Sequence, residues 1–236
     1  MKKTIILAQL LLIIVFSACK SGKQGDMAGG KEGSLYGVKS GIVHYKPMMM
    51  MGVSMTQTLY FDDYGNKEVR EVITEGNMMG QTMKNHSVDI REGLVNIHYE
   101  LENMQNGQNM ATKDAYKETM PADFLEQQNI TELSEEMKAK MSYKEAGSET
   151  VAGLKGMKYT IAPDSTNPGL IATGVHYKNI PLKFAMGNIE MVADKVELDV
   201  KVPAEKFKVP EGFKIVERNM SDIPAETGSG EEQPGK

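Results

Sequence analysis

Val196, Leu198, Val200 and Val202 alternate with Lys195, Glu197, Asp199 and Lys201, so an extended chain here carries one apolar and one solvated face. The same period of two recurs at Val95, Ile97, Tyr99 and Leu101 around Asn96, His98 and Glu100. It returns at Met157, Tyr159 and Ile161, and again at Leu182, Phe184 and Met186. Turn-forming residues separate the runs: Asp62-Asp63-Tyr64-Gly65-Asn66, Gly76-Asn77, Glu92-Gly93 and Gly187-Asn188. The two Gly-Asn pairs fit tight hairpins, because glycine takes positive φ without penalty. Half-apolar strands joined by hairpins predict an antiparallel sheet, since parallel strands need long crossovers.

One helical segment interrupts this pattern. Pro121 suits a first helical turn, with Phe124 and Leu125 available to pack. Asn129 with Glu132 three residues on has the form of a capping box, and Ile130, Leu133, Met137 and Met141 follow at helical spacing. A single apolar stripe needs a surface to lie on, and the sheet supplies it. The predicted fold class is α+β: a strongly curved antiparallel sheet, forming a half-open barrel, with one or two helices packed on its apolar face. A sheet this long curls rather than stays flat.

The ends of the 236-residue chain read differently. Lys2 and Lys3 precede a short apolar stretch, Ile5 to Phe16, and small residues lead to Cys19; this is the layout of a secretory signal, too short for a permanent span. Phe16-Ser17-Ala18-Cys19 resembles the lipobox of bacterial lipoproteins, with Phe16 where Leu is usual. That resemblance implies cleavage before Cys19 and acylation of its sulfur and new amine, by chains such as palmitate. More than one chain gives stable anchoring. The expected organisation is a signal peptide over 1–18, a lipidated cysteine and Gly-rich polar tether over 19–34, one half-barrel domain over 35–218, and a disordered tail over 219–236.

Composition narrows the chemistry. Loss of Lys2 and Lys3 leaves 25 of the 27 basic residues against 32 acidic ones, which argues against nucleic acid as a partner. The single cysteine excludes an intramolecular disulfide and a Cys-based zinc cage. The sequence contains no Gly-rich phosphate loop, HExxH, GxSxG or EF-hand loop. Asp62-Asp63 and Glu135-Glu136 read as turn and surface groups. The expectation is a non-enzymatic protein with no catalytic residue, no cofactor and no metal ligand.

Two residue types offer alternatives. Val43-His44-Tyr45-Lys46 and Val175-His176-Tyr177-Lys178 are near-identical and Ile97-His98-Tyr99-Glu100 is close, so three strands bringing three imidazoles together would make a metal site. The plainer expectation is that alternation puts each His on the wet face of its strand. Met48-Met49-Met50-Met51 with Met55, Met78-Met79 with Met83, and Met104 with Met110 cluster near turns. Clustered thioethers in an exported protein suit Cu(I). Consecutive Met in a strand point to both faces, however, and Met is also a pliable apolar filler.

Ser40-Gly41-Ile42-Val43-His44-Tyr45, Tyr60 to Glu68, Gly147 to Gly153 running into Lys158-Tyr159, Ile180-Pro181-Leu182-Lys183 and Phe207 to Phe213 together resemble a family of uncharacterised Gram-negative lipoproteins. That family is similar to the lipoprotein-carrier (LolA/LolB-like) fold, a half-open antiparallel barrel capped by helices around an apolar cavity. The resemblance implies a fold and a lipid-cavity precedent, and no catalytic residue.

Three functions stay open on these residues: a lipid-anchored binding module holding an acyl chain or other apolar ligand, a Met-rich Cu(I)-handling lipoprotein, and a filled-core structural or interaction lipoprotein. The first is preferred, because one apolar face of a half-barrel must be covered by helix, ligand or both. Its expected lining is Ile97, Tyr99, Leu182, Phe184, Met186, Val196, Leu198 and Val200, and its expected partners are the membrane, through the anchor, and an apolar small molecule or lipid. Lys20 follows Cys19 in place of the Asp that marks inner-membrane retention in enteric lipoproteins, and no acidic run follows the cysteine. The expected address is therefore the outer membrane of a Gram-negative bacterium, with the domain facing the periplasm.

Overall fold

The computed structural model describes residues 34–50, 52–78, 80–162 and 170–218. The signal, nearly all of the tether and the C-terminal tail, with Cys19 among them, lie outside the described residues. In chain order the strands are β1 (Gly41–Tyr45), β2 (Met48–Met50), β3 (Val53–Asp62), β4 (Lys67–Met78), β5 (Gln81–Glu92), β6 (Val95–Gln105), β7 (Gln108–Asn109), β8 (Asp114–Thr119), β9 (Lys144–Val151), β10 (Leu154–Ile161), β11 (Ala172–Tyr177), β12 (Ile180–Met186), β13 (Ile189–Leu198) and β14 (Lys214–Glu217). Helices α1 (Phe124–Gln128) and α2 (Glu135–Lys140) lie between β8 and β9.

These strands form one open sheet in the order β14-β8-β6-β5-β4-β3-β1-β13-β12-β11-β10-β9, with β2 added to β3 and β7 to β6. Every pairing is antiparallel except that of β14 with β8. The sheet curls. Laid flat, β9 and β13 would stand about 19 Å apart, four steps of ~4.8 Å. Instead they touch, and Val151 of β9 shares a core with Val43 of β1 and Leu182 of β12. The α+β half-barrel expectation holds.

Turn chemistry sets the register. Gly187-Asn188 and Gly93-Leu94 are two-residue links, and Asp62 caps the turn at Asp63–Gly65 by accepting from the Asp63 amide at 2.7 Å. Gly76-Asn77 is not a turn: β4 runs on to Met78, which pairs with Gln81. Gly76 is small for a different reason, since a Cβ there would sit 2.4 Å from the Gly52 carbonyl oxygen. The helical segment also differs from expectation. Asn129 caps no helix N-terminus and instead closes α1 at its C-terminal end; its side chain accepts from the Thr131 amide and hydroxyl, and Ser134 caps α2 by accepting from the Met137 amide at 3.2 Å.

Register assigns every strand residue to a face, because directly opposed residues point the same way. Val196 opposes Val43, Val43 opposes Leu59, Leu59 opposes Arg70, Arg70 opposes Asp89, and Asp89 opposes His98. This is face A. Tyr60, Val69, Ile90 and Ile97 form the corresponding row on face B. Three cores fill these faces. The central core lies around Val43, Leu59, Phe61, Ile180 and Leu182. A second core, on face B, joins Val69, Val88, Ile90, Tyr99 and Ala115 to Phe207, Val209 and Phe213 of the C-terminal segment. The third sits under the helices, where Leu133 and Met141 meet Ile161, Ala172, Phe184 and Met186.

Candidate functional site

The eight residues expected to line one cavity do not share one space. Ile97 and Tyr99 are on face B, where Tyr99 packs edge-on to Phe213 at 5.0 Å between ring centres. Val196 and Leu198 are on face A and pack with fully buried Leu182 in the central core. Phe184 and Met186, also on face A, belong to the helix-covered core. Val200 is on no strand: β13 ends at Leu198, Asp199 takes φ 52°, and the Val200 carbonyl accepts from the Ser40 hydroxyl at 2.8 Å. Alternation fixed which residues share a face of one strand, but the parity between β6 and β13 depends on the register of every strand between them.

The helix-covered core holds an anomaly. His176 on β11 is 5% exposed, and among the described residues neither ring nitrogen has a hydrogen-bond partner. Its opposite number on β10 is Met157, and its ring lies 5.8 Å from that of Tyr159. Tyr159 in turn stacks on Tyr143 at 5.8 Å and covers Gly174, where a Cβ would fall 2.2 Å from the Tyr159 ring. Burial pushes the imidazole below its ordinary pKa, so His176 is neutral, with one donor and one acceptor. Burial also pushes the Tyr159 hydroxyl up to about 12.

The cover over this core is thin. Neither α1 nor α2 buries a residue of its own; Leu133 and Met141, just outside α2, are the anchors. Asn179 ties the segment down, donating to the Leu35 carbonyl at 2.8 Å and the Gln128 carbonyl at 3.3 Å, and accepting from the Ile130 amide at 3.0 Å.

The other histidines are ordinary. His44 lies 3.7 Å from Glu197, His86 2.8 Å from Glu71 and His98 3.0 Å from Asp89. The strands of His44, His98 and His176 are not neighbours, and among the described residues no three His, Cys, Asp or Glu side chains gather as a metal site requires. The wet-face expectation suits His44 and fails for His176. The two near-identical quartets are set in opposite phase: Val43 and Tyr45 point to face A beside a half-exposed His44, whereas His176 itself points to face A with Gly174 and Ala172. No sequence signal distinguishes them.

Elsewhere on face A, Tyr45, Lys46, Met48, Met55, Gln57 and Met191 line a small opening of about 10 Å³. None of the eight expected residues borders it. Among the described residues, no helix is long and apolar enough to cross a membrane.

No protein-family model matches the chain, and no curated protein sequence does. Similar solved structures include an uncharacterised conserved protein from Thermus thermophilus, at 9% identity and TM-score 0.48, covering 77% of this chain and 91% of that one. The MucA/MucB complex of Pseudomonas aeruginosa matches at 10% identity and TM-score 0.42, covering 75% of this chain and 58% of that one. A domain described as a candidate outer membrane lipoprotein-sorting protein, from Vibrio parahaemolyticus, matches at 12% identity and TM-score 0.25, covering 72% and 89%. Likeness at this level transfers no function.

Proposed function

We propose that this chain is an exported, lipid-anchored, non-enzymatic binding protein of the Gram-negative envelope, and that face A beneath α1 and α2 takes an apolar chain with a polar end. In this reading Cys19 carries the anchor, and the domain faces the periplasm from the outer membrane. The carrying observation is His176. A buried donor or acceptor left unsatisfied costs about 1–3 kcal/mol, and this ring has two such nitrogens. A ligand whose carboxyl or hydroxyl end reached the ring would recover that cost. Its chain would lie among Tyr159, Phe184, Met186 and Met137, and methionine adapts to a flexible occupant. Thinly held cover is the kind of element that opens locally to admit one.

The test is fluorescent fatty-acid binding to the full chain and to His176→Leu, read beside thermal stability. The expected result is binding by the parent and at least a roughly tenfold loss in His176→Leu, in a variant that melts no lower. No binding by either protein, or equal binding by both, would overturn the ligand reading. The filled-core interaction lipoprotein would then be the better account.

A further inference from the structure

We infer that Met48, Met55 and Met191 form a binding site for one soft monovalent cation, Cu(I) or Ag(I), at the small opening on face A. The site lies apart from the helix-covered core and does not depend on the apolar-ligand reading.

Three adjacent lines of backbone bring the thioethers together. Met55 lies on β3 in step with Gln57 and Leu59, which places it on face A. Met48 of β2 is its directly opposed partner, and such pairs have Cβ atoms about 5 Å apart. On the other side the Lys46 amide donates to the Val192 carbonyl at 2.8 Å, so the chain leading into β2 still runs beside β13. Met191 is in step with Ala193, the partner of Tyr45, and so also points to face A. All three side chains border the one opening. Of the described methionines 48–50 only Met48 takes part; Met49 points away and is 67% exposed.

Size and chemistry select the occupant. At about 10 Å³ the opening has room for a single small sphere. A pocket for an organic ligand is about 300–1,000 Å³. Among the described residues the lining holds three thioethers and no carboxylate or imidazole, a donor set that hard divalent ions and zinc do not favour and Cu(I) does. Lys46, exposed at the rim, is the one charged lining residue among the described residues, and it repels a divalent ion twice as strongly as a monovalent one. The Tyr45 hydroxyl is already committed, donating to the Pro181 carbonyl at 2.8 Å, which leaves sulfur as the principal donor.

The experiment titrates Ag(I) into the full chain carrying Cys19→Ala, purified in detergent, with the methionine methyl groups labelled for NMR. The cysteine is removed so that no thiol competes. Of the 19 methionine signals, those of Met48, Met55 and Met191 should move together and saturate at one equivalent. Cu(I) should be retained against a competing chelator, and Met191→Leu should weaken that retention at least roughly tenfold. Met49→Leu, at an exposed site on the same strand pair, should leave it unchanged. Shifts that begin at exposed Met49 and Met110, no saturation at one equivalent, or equal retention by Met191→Leu would each overturn the site.

Discussion

Replacing Glu68 by Gln should cost this fold about 3 kcal/mol at neutral pH, and much less in acid. Glu68 sits on face A of β4, 3% exposed. One oxygen accepts from the Tyr36 hydroxyl at 2.7 Å and from Arg91 Nη2 at 3.0 Å, and the other lies 2.8 Å from Arg70 Nε. Arg91 Nη2 also donates to the Gly65 carbonyl at 2.7 Å, and Tyr36 packs edge-on to Phe61 at 4.7 Å. The cluster therefore joins the N-terminal segment, the Asp63–Gly65 turn and the central core. Burial alone would raise the Glu68 carboxyl, but the two guanidinium charges and the hydrogen bonds outweigh it and hold the group at about 2 against an ordinary 4.5. At ~1.36 kcal/mol per pH unit, that difference stabilises the folded state by about 3 kcal/mol. The figure agrees with the cost of breaking a buried ion pair, about 3–5 kcal/mol. Because the folded carboxyl is the stronger acid, the contribution is complete above pH 4.5 and is lost as pH falls towards 2. Urea unfolding of parent and Glu68→Gln should differ by about 3 kcal/mol at pH 7 and by about 1 kcal/mol or less at pH 2.5. An equal difference at both pH values, or one below about 1 kcal/mol at pH 7, would refute the reasoning.

Asn179→Ala removes three hydrogen bonds that join the β11–β12 turn to Leu35, Gln128 and Ile130, and should cost about 2–3 kcal/mol in thermal or urea unfolding. Asn179→Gly, which suits the φ of 64° but restores no bond, should recover only a minor part of the loss. By NMR, His98 should titrate above the ordinary histidine range and His176 below it. Burial works against the His98 imidazolium, but the hydrogen bond and charge of Asp89 prevail and raise its pKa, so its contribution is complete below pH 6.5 and fades as pH rises through the raised value. For His176, whose pKa is depressed by burial, stability is complete above pH 6.5 and falls as the pH drops below it.

Strand periodicity and turn chemistry carried much of the architecture. The alternation at Val95–Leu101, Leu182–Met186 and Lys195–Leu198 marks real strands, and Gly187-Asn188 is a real two-residue turn. Some failures have local causes. A glycine needed for close approach to Gly52 looks the same in sequence as one needed for a turn, so Gly76-Asn77 reads as a turn although β4 runs through it. Asn129 and Ser134 are both good capping residues, and only the position of the following turn decides between them. The eight expected lining residues are dispersed for a nonlocal reason. Whether Ile97 shares a face with Val196 depends on the registers of β5, β4, β3 and β1, and a one-residue change in any of them reverses the answer. Nothing in the Val-His-Tyr-Lys quartets separates His44 from His176, since their phase is set by partners far away in the chain.

If the proposed ligand reading holds, the distribution of cover singles out Phe184 and Met186 among the expected lining residues. Face B of the β4–β6 region is sealed by Phe207, Val209 and Phe213, with Lys206 ion-paired to Glu71 at 2.8 Å and set over the Tyr60 ring. The central core is sealed by the segment from Leu35 to Val38, fastened through Tyr36 to Glu68, and its Val43, Phe61 and Leu182 are fully buried. Displacing either seal would expose several large apolar side chains, and the second would also break a buried ion network. The helical segment presents a smaller obstacle: two buried anchors, three hydrogen bonds through Asn179, and beneath it an imidazole that gains partners when something polar arrives. Exchange of a ligand at the β10–β12 end therefore costs the fold least, which is why the proposed apolar ligand belongs there and not at the centre of the half-barrel.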